Sequence, residues 1–281
     1  MIKAGTILVT GATGFLGTAL VSSLVKNNYK VIGVGHSENN IKKFELLFGE
    51  DVPVPIHLID ISSDFIGIKN LIRKFSVDYI IHSAALKHVN ICEKNPTRAV
   101  DVNVIGSKNI IRAAVDCDVK NVIGISTDKA INPLCIYGVT KKMMEEMFLE
   151  HNFGVFQGVN FLFSTGSVLD IWDRLRLEDK PIMFNTTSVR YFCLIEDVCN
   201  KIIDLIDYEE RFTIDKCYEI SIQDLQKAFS TYHNYWNTKE HKPLHVEKDE
   251  EDLPLKEIEI VKPEIDQIVQ LLHEHYERTA Q

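Results

Sequence analysis

Hydroxyls, an acid, two amines and a phenol crowd into one short span of the chain. Gly124-Ile125-Ser126-Thr127-Asp128-Lys129 is followed, after seven intervening residues, by Tyr137-Gly138-Val139-Thr140-Lys141. Tyr137 and Lys141 stand four apart, so on a helix they share one face. An ammonium beside a phenol favours the phenolate and draws its pKa down from about 10. Tyr137 therefore reads as a base near neutral pH, with Lys141 as its partner. Taken alone, the spacing also describes a tyrosine at a helix start and a solvated lysine one turn on. Asp128-Lys129, taken alone, is a surface ion pair in a loop. Both gain weight from a cofactor site elsewhere in the chain.

A strand and a helix must carry these residues. The apolar run Asn121-Val122-Ile123-Gly124-Ile125 predicts a buried strand, and Ile136 to Glu150 predicts a helix. Upstream, Thr6 to Thr10 predicts a strand and Thr18 to Lys26 a helix, with Gly11-Ala12-Thr13-Gly14-Phe15-Leu16-Gly17 between them. Glycines so placed permit a tight turn and let backbone approach a pyrophosphate seated on the helix N-terminus. Gly11, Thr13, Gly14, Phe15, Leu16 and Gly17 are thus candidate cofactor-binding residues; the plainer reading is a turn that packs helix on strand.

Lys30 to Val34 predicts a second strand, ending in Gly35-His36-Ser37-Glu38-Asn39. NAD-binding folds place an acid at this strand's end to hold the ribose 2′-hydroxyl. No carboxylate stands there; His36 and Ser37, with Lys42 or Lys43 nearby, suit a 2′-phosphate. The expected cofactor is NADP, with NAD as the alternative, and the plain reading is a solvated loop. Pro55 to Ile59 predicts a third strand, with Asp60 and Ile61 placed to meet an adenine edge. Ile68 to Phe75 predicts a helix, and Asp78 to His82 a fourth strand, followed by small residues, Ser83-Ala84-Ala85. Ala84 and Ala85 would let backbone lie along the cofactor. Pro96 to Cys117 predicts one long helix carrying a polar Asn103, either exposed or turned toward the site.

Strand alternates with helix to about residue 150, which predicts an α/β fold, a doubly wound parallel sheet with right-handed crossovers. Residues 1–155 form the expected dinucleotide-binding domain and 156–281 a mixed region with a C-terminal substrate-binding part. In the latter, Val155 to Phe163 predicts a strand; Val168 to Leu177, Ile195 to Tyr208, Ile222 to Thr231 and Pro263 to Tyr276 predict helices. The acidic run Lys248 to Asp252 is most simply a solvated loop.

With 281 residues, 45% of them apolar, the chain can bury a sizeable core. A net charge of -9 argues against a general nucleic-acid binder. Met1 to Thr6 leads directly into a strand without a signal peptide, and no apolar run approaches about 18 residues. A soluble, cytoplasmic protein without membrane contact is expected. The six cysteines are scattered and form no CxxC pair, so no metal site or disulfide framework is expected.

The glycine-rich turn, Ser126-Thr127 and the Tyr137/Lys141 pair resemble the extended short-chain dehydrogenase/reductases. Two further segments narrow the resemblance. Ala84-Ala85-Leu86-Lys87-His88-Val89 with Glu93-Lys94-Asn95-Pro96 and Asn103-Val104-Ile105-Gly106 is one; Ser126-Thr127-Asp128-Lys129-Ala130-Ile131-Asn132-Pro133 is the other. Both are similar to the UDP-N-acetylglucosamine 4,6-dehydratases of surface-polysaccharide biosynthesis, and Tyr137 resembles their soluble, C5-inverting branch. The resemblance is strong over residues 6–150, patchy to about 200 and weak beyond.

It implies that Tyr137 takes the C4 hydroxyl proton while the nicotinamide takes the C4 hydride, and that Lys141 holds the phenolate and the ribose. Lys129 would remove the C5 proton, Asp128 would protonate the leaving C6 hydroxyl, and Thr127 would hydrogen-bond the C4 oxygen. Lys87 and Asn103 would meet the substrate. Where the family carries Arg-Tyr-Gly-Asn, this chain has Val159-Asn160-Phe161-Leu162, leaving Asn160 as the candidate contact. Arg190-Tyr191-Phe192 resembles a family segment whose Arg meets a substrate phosphate. The Arg-Pro-Gly-Glu-Lys segment expected near 235–255 is not recognisable. The resemblance also implies a homo-oligomer, a dimer through helices 97–117 and 136–150 or a hexamer. A 4-epimerase, a 4-keto reductase or a non-catalytic cofactor-binding homologue are the competing readings.

Overall fold

The computed structural model describes residues 5–49, 54–184, 187–240 and 258–279, so the acidic run Lys248 to Asp252 lies outside the described residues. The chain divides into two compact units, one of residues 1–158 and 195–213, the other of 159–194 and 214–281. In chain order the first unit contains β1 (Thr6–Thr10), α1 (Phe15–Lys26), β2 (Lys30–Gly35), α2 (Glu38–Phe48), β3 (Ile56–Leu58), α3 (Phe65–Phe75), β4 (Tyr79–His82), α4 (Val89–Lys94) and α5 (Pro96–Val100). A π-helical turn (Asp101–Gly106), α6 (Ser107–Val115), β5 (Asn121–Thr127), a 3-10 turn (Asp128–Ala130), α7 (Ile136–Glu150) and β6 (Gly154–Gly158) follow. The second unit takes β7 (Asn160–Phe161), α8 (Val168–Leu177), β8 (Ile182–Phe184) and β9 (Val189–Cys193). The chain returns to the first unit for α9 (Ile195–Asp204) and β10 (Arg211–Thr213). It then completes the second with β11 (Lys216–Ser221), α10 (Ile222–His233), β12 (Thr238–Glu240), β13 (Glu259–Val261) and α11 (Ile265–Thr279).

Strands of the first unit form one sheet in the order β10-β6-β5-β4-β1-β2-β3, parallel at every pairing. This is the doubly wound α/β sheet expected from the alternation of elements. β1, β4 and β5 are buried along their whole length, which is why they read as continuous apolar runs. The winding reverses between β1 and β4, where ligands of such folds bind. At that point Thr10 pairs directly with His82. Leu8, Ile32, Ile80 and Val122 from the sheet pack with Ile72, Ile111, Met144 and Phe148 from helices α3, α6 and α7.

The long helix expected over 96–117 runs without a break from Pro96 to Val115, with a π turn, Asp101–Gly106, between α5 and α6 and right-handed helical backbone at both junctions. A π turn widens the helix by one residue and re-aims its side chains. Here the close approach of Gly106 to Ile61, whose Cδ1 would lie 2.8 Å from an added Cβ, leaves no room for a side chain. Helix α2 also occupies what reads in sequence as a loop, started by Ser37, whose Oγ accepts from Asn40 N.

The second unit has its own sheet, in the order β13-β11-β9-β7, and a two-stranded sheet of β12 and β8. Its core gathers Leu162, Trp172, Ile182, Phe192, Ile220, Phe229 and Leu272. None of the helices among the described residues is long and apolar enough to cross a membrane.

Candidate functional site

The glycine turn between β1 and α1 meets the requirements of a dinucleotide cradle. Gly11 has φ +67, and a Cβ there would lie 2.8 Å from Ala84 N. A Cβ on Gly17 would fall 2.1 Å from Gly11 O, so helix and turn approach as only glycine allows. Gly14 caps α1 with no side-chain acceptor, and the first turn holds no acid that would repel an anion. These features suit a pyrophosphate, with Thr13, Phe15 and Leu16 completing the turn and Ala84 and Ala85 lying on the neighbouring loop. At the end of β2, His36 is exposed and Ser37 half-buried at the start of α2. Asp60 is committed within the protein: Ser62 N and Oγ donate to its Oδ1, and Arg98 donates to Oδ2 at 2.8 Å. Burial opposes its ionisation, but these donors outweigh burial and hold its pKa down to about 2. Ile61 beside it is buried.

A chain of hydrogen bonds ties this cradle to the Tyr137 helix. Thr10 Oγ1 lies 2.7 Å from His82 Nδ1, and His82 Nε2 lies 2.9 Å from Ser107 Oγ. Ser107 donates its single hydroxyl proton to Asn103 O at 2.7 Å, so it accepts from His82, which fixes the proton on Nε2. Asn103 Nδ2 donates to Thr140 Oγ1 and to Leu86 O, and its Oδ1 accepts from Leu86 N at 2.8 Å. Thr140 in turn donates to Tyr137 O at 2.9 Å. His82 is wholly buried, and desolvation, then Lys141, bring its pKa down to about 3, so it stays neutral. Asn103 is 1% exposed and anchors the Leu86–Lys87 loop rather than standing on the surface. Lys87 itself is exposed on that loop.

At the end of β5, Thr127 and Asp128 are buried. Thr127 Oγ1 donates to Asp128 Oδ1 at 2.7 Å, and Lys129 Nζ donates to the same oxygen at 3.2 Å. With Asp128 only 4% exposed, this is no surface ion pair. Glu93 on α4 accepts from Ile136 N at 2.7 Å, placing a carboxylate at the N-terminus of α7 one residue before Tyr137. Lys141, one turn on, is 3% exposed and its ammonium contacts Met144 Sδ at 3.0 Å. Burial lowers its pKa to about 8 although Glu145 opposes the shift.

One expectation is corrected. Tyr137 is raised above the ordinary phenol value, not lowered: desolvation dominates, the Asp128 carboxylate adds to it, and a hydrogen bond with Thr127 only partly offsets them. The four-residue spacing did place Tyr137 and Lys141 on one helix, but spacing carries no information about what buries the phenol. Sequence reasoning also missed His82, Ser107, Thr140 and Glu145. The available signal was a polar residue inside an otherwise apolar strand or helix face.

Asn160 and Arg190 belong to the second unit, on the neighbouring strands β7 and β9. Asn160 Nδ2 donates to Tyr191 O at 3.0 Å, and Arg190 donates to Val189 O at 3.1 Å. Among the described residues no cluster of His, Cys, Asp and Glu could hold a metal ion.

An uncharacterized membrane protein of Methanocaldococcus jannaschii is 40% identical over 201 residues, 68% of this chain and 60% of its own length. The inverting UDP-N-acetylglucosamine 4,6-dehydratase of Campylobacter jejuni serotype O:2 is 30% identical over 244 residues, 82% of this chain and 72% of the relative. The chain spans only 40% of the similar polysaccharide biosynthesis protein of Bacillus subtilis. Among solved structures, Pen from Bacillus thuringiensis superposes with a TM-score of 0.84 at 22% identity, covering 96% of this chain and 98% of that one. The UDP-glucose 4-epimerase of Thermotoga maritima gives 0.78 at 18% identity, covering 98% and 100%. These two likenesses carry the fold. With a family profile described as polysaccharide biosynthesis protein matching residues 7–267, the chain belongs to that family of extended short-chain dehydrogenase/reductase homologues.

Proposed function

We propose that this protein is a nucleotide-sugar 4,6-dehydratase, a lyase that converts UDP-N-acetylglucosamine to a UDP-4-keto-6-deoxy sugar with inversion at C5. The observation that carries the reading is the buried Thr127–Asp128–Lys129 cluster at the end of β5, hydrogen-bonded to the Tyr137 that shares α7 with Lys141. An epimerase needs the tyrosine and lysine but has no use for an acid and an amine held together. The cofactor is proposed as NADP, held by the glycine turn and by Ala84 and Ala85, with His36 and Ser37 toward a 2′-phosphate. When bound, the nicotinamide supplies the hydride acceptor and donor.

The chain's own groups move the protons. Tyr137 acts as the phenolate, the form the buried Lys141 ammonium stabilises against the raised resting pKa, and takes the C4 hydroxyl proton beside Thr127 to become the neutral phenol. The 4-ketone acidifies C5–H. Lys129 as the neutral amine takes that proton, and Asp128 as the neutral acid gives one to the departing C6 hydroxyl. The pair ends as ammonium and carboxylate and is reset by one proton passing between groups 3.2 Å apart. Return of the hydride to C6 then requires a proton at C5, delivered from solvent to the opposite face, which gives inversion and, in deuterated water, deuterium at C5; Tyr137 releases its own proton to solvent to complete the cycle. Lys87, Asn160 and Arg190 are proposed to contact the substrate, and Asn103 to act through the Leu86–Lys87 loop it anchors. We further propose a cytoplasmic homo-oligomer. Val100, Ile105 and Val115 on the α5–α6 segment, and Val139 and Met143 on α7, are exposed apolar residues suited to its interface.

Proton NMR of UDP-N-acetylglucosamine incubated with the protein in deuterated water tests the reading. A new C6 methyl signal with deuterium at C5 is expected, and Asp128→Asn should reduce its rate by at least about 100-fold while NADP binding persists. Loss of water from neither UDP-N-acetylglucosamine nor UDP-glucose, in folded protein, would overturn it. Asp128→Asn with near-normal turnover would mark an epimerase instead.

A further inference from the structure

We infer that Glu145 is a positioning residue: it sets the charge on Lys141 and anchors the start of the Ser126–Lys129 segment. The inference rests on the proposed pairing of Tyr137 with Lys141. Tyr137, Lys141 and Glu145 follow one another at four-residue steps along α7, so they lie on one face of the helix. Glu145 is 0% exposed, an unusual place for a carboxylate in the middle of a helix. Its Oε1 accepts from Ser126 Oγ at 2.5 Å and from Gln157 Nε2 at 2.8 Å. The other oxygen, Oε2, faces Arg211 at 3.2 Å and Lys142 at 3.9 Å. One side chain thereby joins β5, β6 and β10 to the helix that carries the tyrosine and lysine.

A purely structural role would not need a charge at this point. Ser126 and Gln157 could be satisfied by a glutamine. The charge has a consequence for Lys141, whose ammonium is buried against the Met144 sulfur and is disfavoured by desolvation. Elements packed against α7 bring Glu93, Lys94, Arg98, Asp101, Lys108, Arg112, Asp128 and Lys129, and His82 on β4 is neutral. Among the described residues, Glu145 is the group that opposes deprotonation of Lys141. Arg211 and Lys142 partly neutralise Glu145 and so limit that effect. The arrangement sets opposite expectations for the two partners: removing the acid lowers the titration midpoint of Lys141, and removing Arg211 raises it.

The experiment follows the midpoint directly. Protein labelled at lysine Cε and Nζ is titrated by NMR, with Lys141→Met used to assign the signal. Glu145→Gln should lower the Lys141 midpoint by about one to two pH units, as expected for a charge one helical turn away, where side chains on one face are about 5–6 Å apart, at an effective dielectric near 20. Arg211→Gln should raise it, and Ser126→Ala, which removes a hydrogen bond but no charge, should leave it in place. A Glu145→Gln midpoint equal to that of the parent protein overturns the inference. If that variant does not fold, a fall or no change in Arg211→Gln overturns it equally. The titration needs no substrate: if the shifts appear and no UDP-sugar is turned over, the positioning role stands and the dehydratase reading fails. Where turnover is present, the alkaline limb of kcat moves with the midpoint.

Discussion

His82 should make the first unit lose stability in acid, by an amount the structure specifies. The ring is 0% exposed between Thr10 and Ser107 and stacks on Phe148 at 5.8 Å. Its folded-state pKa is about 3, against about 6.5 in an unfolded chain. A base with a depressed folded pKa binds its proton preferentially in the unfolded state. Its contribution to stability is therefore complete above pH 6.5 and is lost as pH falls toward 3. The full gap of about 3.5 units is worth about 5 kcal/mol, and the portion between pH 7.5 and 5 about 2 kcal/mol. His82→Gln removes the titration while leaving a polar side chain between the two hydroxyls. Urea unfolding of both proteins, followed by circular dichroism at pH 7.5, 6.5 and 5, isolates the term because every other histidine cancels. At pH 7.5 the variant should be less stable by about 1–3 kcal/mol through its imperfect hydrogen bonds. By pH 5 that deficit should shrink or reverse by about 2 kcal/mol. A deficit that stays constant across the range would refute the buried neutral imidazole.

Two further perturbations probe the turn and the loop around it. Gly17→Ala should cost about 1–3 kcal/mol in thermal unfolding and weaken binding of the proposed nicotinamide cofactor, since its Cβ would press on Gly11 O and Ala12 Cα, both backbone. Gly14→Ala, whose Cβ would meet Gly11 O at 3.2 Å, should be milder in the same assay. Asn103→Ala should strand the Leu86 N–H and remove the donor to Leu86 O and Thr140 Oγ1, costing about 2–3 kcal/mol, with faster hydrogen exchange at Leu86 as the local readout.

The order of elements, the parallel sheet and the glycine turn were legible in the sequence because each has a local signature. Buried parallel strands are continuous apolar runs, and a turn that admits no Cβ must be glycine. That Tyr137 and Lys141 lie on one helix face was equally legible, because helical spacing alone puts residues four apart on one face. Tertiary structure alone decided what those groups experience. The phenol of Tyr137 is raised because burial and Asp128 act on it together, and Asp128 is buried only because the end of β5 lies inside the fold. Likewise Thr10, His82, Ser107, Asn103 and Thr140 form one hydrogen-bonded line only after β4 settles beside β1 and the π turn brings Asn103 inward. Contacts between residues distant in the chain depend on sheet register and helix packing, and electrostatics depends on both. Local periodicity encodes neither, so the sequence named the chemical groups and the fold determined their protonation, their partners and their reach.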